Sequence, residues 1–156
     1  GERFAFFSRG VLEILPFIGY YPDVLHCHDW QAGMIPVYLK TLFAGNPFFS
    51  GMKSIMTIHN LQFQGKWDIE HVRYCSGLPD YLFTADKLEL HKDASMLKGG
   101  LVYADIITTV SNTYAEEIKT ASRVGDIVED EKWKKKVWLL DWTSGADGYP
   151  ILQRTN

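Results

Sequence analysis

Cysteine is scarce in this chain: Cys27 and Cys75 are the only two in 156 residues, and they form no CxxC pair. A disulfide scaffold and a four-cysteine zinc ribbon are therefore poor readings, and a reduced, cytosolic setting is the expectation. Long apolar runs are lacking too, since no window approaches the ~18 consecutive apolar residues of a membrane span. Basic charge is not in excess, with 16 Lys and Arg against 19 Asp and Glu and a formal net charge of −3. Such a balance predicts a soluble protein without an electrostatic footprint for nucleic acid or an anionic membrane. Neither GxGxxG nor GxxxxGK[ST] occurs, so the glycine-rich phosphate cradles are absent from these residues. No basic-then-apolar leader opens the sequence, and its first residue is Gly1. The expectation is a piece cut from something longer.

What is present is apolar and aromatic. Hydrophobic residues make up 46% of the sequence and aromatics 14%, enough for one globular core and too little for two full domains. Residues 3–18 place Phe4, Phe7, Val11, Leu12, Ile14, Leu15 and Ile18 at three- and four-residue spacing, the stripe of an amphipathic helix. Pro16 and Gly19 predict a kink and then a stop. PDVLHC reads as a short buried strand, residues 32–43 as a helix, KSIMTI (53–58) as a second strand and DIITTV (105–110) as a third. LKGGLVYA reads as a short helix whose Gly99 and Gly100 allow close packing, and Thr113 with Glu116 matches the capping-box spacing of a further helix. Between the second strand and LKGGLVYA an irregular stretch rich in aromatics is expected.

Strands that are nearly continuous apolar runs, separated by helices, predict a parallel sheet covered on both faces. Right-handed crossovers bring the strand ends to one edge. Those ends read HCHDWQ, HNLQFQG and SNTYAEE, so polar and aromatic side chains gather where open α/β sheets bind ligands. The tail from about residue 122 differs: EDEKWKKKVW has adjacent acidic and basic blocks, and no fourth strand followed by a helix is visible. Its lysines, flanked by Asp126, Glu129, Asp130 and Glu131, read as a solvated face rather than a nucleic-acid patch.

Several chemistries compete for the polar edge. His26, His28 and Asp29, completed by a distant His59 or His91, make a zinc site conceivable; strand-end histidines that bond backbone or a neighbouring carboxylate are the commoner alternative. Cys27 between two imidazoles looks like a nucleophile, yet strand neighbours point to opposite faces, which sends the thiol into the core. Asp29, Trp30, His59, Asn60, Phe63 and Gln64 combine a carboxylate, an amide and an imidazole with aromatic faces. From physics alone they suit a small polar ligand, with carbohydrate one candidate.

Four blocks, HCHDWQAGMIPVYLK (26–40), TIHNLQFQG (57–65), LKGGLVYAD (97–105) and TTVSNTYAEEI (108–118), resemble in order and spacing the bacterial glycogen synthase and plant starch synthase family. Asn112, where the family usually has proline, and Lys87, where glycine is common, are minor departures. The resemblance implies a Rossmann-like parallel sheet with flanking helices, one incomplete half of a two-domain glycosyltransferase-B fold. Residues 1–121 would be a partial N-terminal catalytic domain and 122–156 a divergent tail. It implies a retaining glucosyltransferase, moving glucose from an ADP-glucose donor to the non-reducing end of an α-1,4-glucan acceptor with no metal or other cofactor. Carried over, His59 is the catalytic residue and Asp29, Trp30 and Asn60 bind substrate. The setting would be the bacterial cytoplasm, or a plastid if the source is a plant. The family's K-T-G-G-L loop and the diphosphate-binding Arg, Lys and E-x-x-G segment of its second domain are missing from this sequence. The chain alone is therefore expected to be inactive. A non-catalytic carbohydrate- or nucleotide-binding module of the same fold and a metallohydrolase on His26, His28 and Asp29 remain the rivals.

Overall fold

The computed structural model describes residues 1–118 and, by their backbone, the two strands 137–141 and 151–154. Helix α1 (Glu2–Phe17) opens the chain, followed by β1 (Val24–His28), a 3-10 turn (Trp30–Ala32), α2 (Met34–Lys40) and β2 (Lys53–Ile58). After β2 come β3 (Lys66–Asp68), α3 (Ile69–Ser76), β4 (Glu89–Leu90) and β5 (Asp93–Ser95). Then follow α4 (Met96–Tyr103), β6 (Ile106–Thr109), α5 (Asn112–Ile118), β7 (Val137–Asp141) and β8 (Ile151–Arg154). The main sheet runs β1-β2-β6-β7-β8, and β1, β2, β6 and β7 are parallel.

The three strands expected from their apolar runs are present, and β2 has the expected limits. Pairing of His28 with Thr57 and of Ile58 with Thr109 sets their carboxyl ends side by side. At the opposite edge Asp105 ties the sheet together. Its carboxylate accepts from the Ser54 backbone N–H at 2.8 Å and from Lys40 Nζ at 3.0 Å, with Lys53 at 3.8 Å. Burial opposes its charge, but these donors and cations outweigh that and hold the carboxyl below its usual value.

Helix packing explains the glycines of α4. A Cβ on Gly99 would lie 2.9 Å from Val37 Cγ2, and one on Gly100 would lie 3.1 Å from the Cα of Gly33 and 3.0 Å from Met56 Cε. Gly33 is tighter still: its Cβ would fall 2.1 Å from the Met96 carbonyl oxygen. The backbones of the α2 start and α4 thus touch over β2, as the paired glycines predict.

Several local expectations change. The buried face of α1 is Ala5, Ser8, Leu12 and Leu15, with Phe4 and Val11 half-buried, whereas Phe7, Ile14 and Ile18 are exposed. α1 ends at Phe17, one residue past Pro16, and Gly19 takes the left-handed conformation at φ 66°. The helix expected at 32–43 is shorter and starts after a 3-10 turn; Pro36 lies in its first turn, where its missing N–H has no helical partner to lose. Two-sided cover fails at edge strand β1: Cys27 is buried, but Val24, His26 and His28 on its other face are exposed.

The 61–95 stretch is not irregular. β3, β5 and β4 form a small antiparallel sheet around α3, which is capped by Asp68 and ends on left-handed Gly77. Pairing of Lys66 with Ser95 leads β5 straight into α4. The cap of α5 is Ser111, whose Oγ accepts from the Tyr114 N–H at 3.1 Å. Thr113, the expected cap, lies inside that helix. The tail does supply strands: β7 extends the sheet beside β6, and β8 pairs antiparallel with β7. The tail's acidic and lysine blocks lie outside the described residues. Among the described residues no helix is long and apolar enough to cross a membrane.

Candidate sugar-binding edge at the strand ends

The carboxyl ends of β1 and β2 build the site. Just past β1, Asp29 adopts φ 54° and ψ −174°, a conformation that costs a non-glycine residue roughly 1–3 kcal/mol. Hydrogen bonds hold it there. The Asp29 N–H donates to Thr57 O at 2.9 Å, and Asp29 Oδ1 accepts from the His59 N–H at 2.8 Å. The carboxylate therefore fixes where the chain leaves β2, and with it the origin of the His59 side chain.

His59 and Asn60 follow β2 and are both exposed. Asn60 Oδ1 accepts from the Gln62 N–H at 2.9 Å, a local turn that leaves the amide nitrogen outside that bond. The loop is pinned further on: the Leu61 N–H donates to Tyr114 Oη at 2.8 Å, and the Gln64 and Gly65 carbonyls accept from the Leu97 and Met96 N–H groups. Gln64 Nε2 turns inward to Leu61 O, while Phe63 is 60% exposed. Trp30 is half-buried. It meets Phe4 edge-on at 4.7 Å between ring centres and Trp67 at 5.4 Å. A Cβ on Gly65 would lie 2.5 Å from Trp30 Cε3. Only glycine at φ 59° lets the 61–65 loop close over the indole. Trp30 thus ties α1, the loop and β3 together, and Asp29 and His59 are bonded to each other.

Three imidazoles line the same edge. His26 and His28 share a face of β1, as their two-residue spacing predicts, with ring centres 4.2 Å apart. His28 Nδ1 and His59 Nε2 share a hydrogen bond at 3.1 Å. His26 Nε2 lies 2.6 Å from Thr57 Oγ1, which is 2.6 Å from Thr108 Oγ1; both threonines are buried. Burial, then the neighbouring imidazoles, lower the pKa of His26. Burial, then His59, lower that of His28, with Asp29 opposing. The sequence groups His28 with His59 only as a conceivable zinc set; their direct hydrogen bond depends on the register of β1 on β2.

Cys27 lies on the other face, buried to 1% exposure, and burial pushes its thiol up to about 12. A protonated core thiol is no nucleophile. His91 sits in the β4–β5 turn at φ 55°. No group of three or more His, Cys, Asp or Glu side chains suited to a metal ion occurs among the described residues. The edge offers imidazole nitrogens, an amide and an exposed ring to a polar ligand, on a backbone held by hydrogen bonds.

A family model described as the starch synthase catalytic domain matches residues 1–130. The glycogen synthase of Lachnospira eligens is 62% identical over 119 residues, 76% of this chain and 25% of that protein. The glycogen synthase of Thermotoga maritima is 46% identical over 120 residues, 77% of this chain and 24% of that protein. Among solved structures, the catalytic domain of starch synthase IV from Arabidopsis thaliana, bound to ADP and acarbose, superposes with a TM-score of 0.79 at 32% identity. That match covers 88% of this chain and 28% of that one. The chain spans about a quarter of the length of the curated relatives it matches.

Proposed function

This chain belongs to the starch synthase catalytic-domain family, and on that premise we propose that its strand-end edge is the donor-glucose wall of a retaining glucosyltransferase. The donor is ADP-glucose and the acceptor the non-reducing end of an α-1,4-glucan, as in glycogen or starch synthesis. The observation that carries the reading is the bond between Asp29 and the His59 backbone, which presents His59 and Asn60 together at the carboxyl edge of the sheet. Within the family domain, proposed to span residues 1–121 with 122–156 as a divergent tail, each residue has a distinct part. His59 bonds a glucose hydroxyl and holds the anomeric carbon toward the acceptor. Asn60 adds a second polar contact. Asp29 sets the position of both, and Trp30, packed against Phe4 and Trp67, contributes to the substrate-binding surface.

The gain is one of orientation: a sugar held in the reactive pose needs no further search at the moment of transfer. Charge that develops on the departing diphosphate needs cations or helix N-termini close by. In the family those groups are the K-T-G-G-L loop and the Arg, Lys and E-x-x-G segment of a second domain, none of which occurs in this sequence, so the isolated chain is proposed to have no transferase activity. The proposed setting is the bacterial cytoplasm, or a plastid for a plant source.

A chimera tests this. Residues 1–118 replace the matching segment of the Lachnospira eligens enzyme, and glucose transfer from ADP-glucose to glycogen is measured. Activity within about tenfold of the parent supports the reading. A folded but inactive chimera, or turnover by the 156-residue chain alone, contradicts it. Saturable calorimetric binding of maltooligosaccharide or ADP by the chain alone would favour a binding module instead.

A further inference from the structure

The imidazoles beside His59 form a connected ladder that the proposed donor site does not itself require. Thr108 and Thr57 are fully buried and bonded through their hydroxyls; His26 is anchored on Thr57, stacks against His28, and His28 reaches His59. Each step lies within hydrogen-bond or ring-contact distance, so the position of an exposed ring is referred back to the interior of the sheet. Exposed histidines with two free torsions otherwise sample several rotamers.

We propose that His28 is a positioning residue for His59: the Nδ1–Nε2 hydrogen bond holds the His59 ring and leaves its Nδ1 as the ring nitrogen open to a sugar hydroxyl. One neutral imidazole has one N–H and one lone pair. If His59 Nε2 donates to His28, its Nδ1 accepts from the sugar; if His28 Nδ1 donates, His59 Nδ1 carries the proton and donates. Either way the shared bond couples the tautomers of the two rings, and the ligand meets Nδ1.

The groups that face His28 are His26, His59 and the Asp29 carboxylate. Burial, then the His59 ring, hold the His28 pKa below its ordinary value, so His59→Gln is expected to raise it.

The test is nitrogen-15 spectroscopy of the imidazoles in the 156-residue chain. The parent chain is expected to show one dominant His59 tautomer, with a hydrogen-bonded Nε2. In His28→Ala the Nε2 signal moves to the mixed-tautomer value of a solvated ring. His28→Asn places its amide where Nδ1 stood and restores the Nε2 shift, whereas His28→Gln, one bond longer, does not. The Asn and Gln pair keeps the test decisive if the alanine variant folds poorly. Equal His59 shifts in all four chains would overturn the ladder. The catalytic consequence rests on the donor-site reading and is measured separately: His28→Ala in the chimera is expected to lower kcat about tenfold with KM for ADP-glucose within twofold. Spectroscopic coupling with unchanged kcat counts against the donor-site reading, while loss of the coupling itself refutes the ladder.

Discussion

Helix α4 and the ends of β1 and β2 are held by opposite means. At α4, Gly99 and Gly100 are buried and lie against Val37, Met56 and Gly33, so shape alone decides which residue fits. At the strand ends, His28, His59 and Asn60 are exposed, and directional bonds from Asp29, Thr57 and Tyr114 place them and their loop. Packing holds the first region and hydrogen bonding the second. Substitutions should therefore read out as stability in α4 and as ring position, titration or turnover at the edge.

The sharpest way to break this contrast is Gly33→Ala. Its Cβ would meet a backbone carbonyl at 2.1 Å, which no rotamer can relieve. A loss of about 3 kcal/mol is expected in chemical denaturation. Gly100→Ala meets the flexible end of Met56 as well as Gly33 Cα, and about 1–2 kcal/mol is expected. A neutral Gly33→Ala would mean that the backbones of α2 and α4 do not touch.

Asp29 lies between the two regimes, since it combines a strained backbone with a hydrogen bond. Asp29→Ala keeps the φ of 54° with a Cβ and loses the bond to the His59 N–H; about 1–2 kcal/mol is expected. Asp29→Gly loses the same bond but relieves the backbone, so its melting temperature should exceed that of the alanine variant. The reverse order would show that the backbone conformation carries no strain.

The smallest expected effect is with pH. His26 and His28 have folded pKa values below the ordinary histidine value. Depressed values favour the neutral rings in the fold. Their contribution is complete above the unfolded pKa of about 6.5 and is lost as pH falls through the folded values. A denaturation series from pH 8 to 5 should show falling stability, and the slope should flatten in His26→Asn. An unchanged slope would place the acid sensitivity elsewhere.

The same contrast governs what the sequence could show. β2 and β6 are legible because apolar, β-branched runs have few other uses, and the diglycine of α4 announces close packing. The β3-β5-β4 sheet is not, because strands of two or three residues carry no measurable period. The capping-box spacing singles out Thr113 with Glu116, yet Ser111, with Tyr114 three residues on, caps α5, because only the backbone decides where the helix starts. Asp29, Trp30, His59 and Asn60 stand out as residue types at one sheet edge. The bond of His28 to His59 and the packing of Trp30 against Phe4 and Trp67 depend on register and on helix placement, which no local window contains.

The central claim is that His59, held by the strand ends, faces the donor sugar. The most direct measurement is kcat for glucose transfer by the chimera carrying His59→Ala, beside its melting temperature. The account predicts a fall of at least a hundredfold in kcat, with melting within a few degrees of the unsubstituted chimera, because an exposed ring contributes little to the core. Equal kcat in the two chimeras, with both folded, would contradict it.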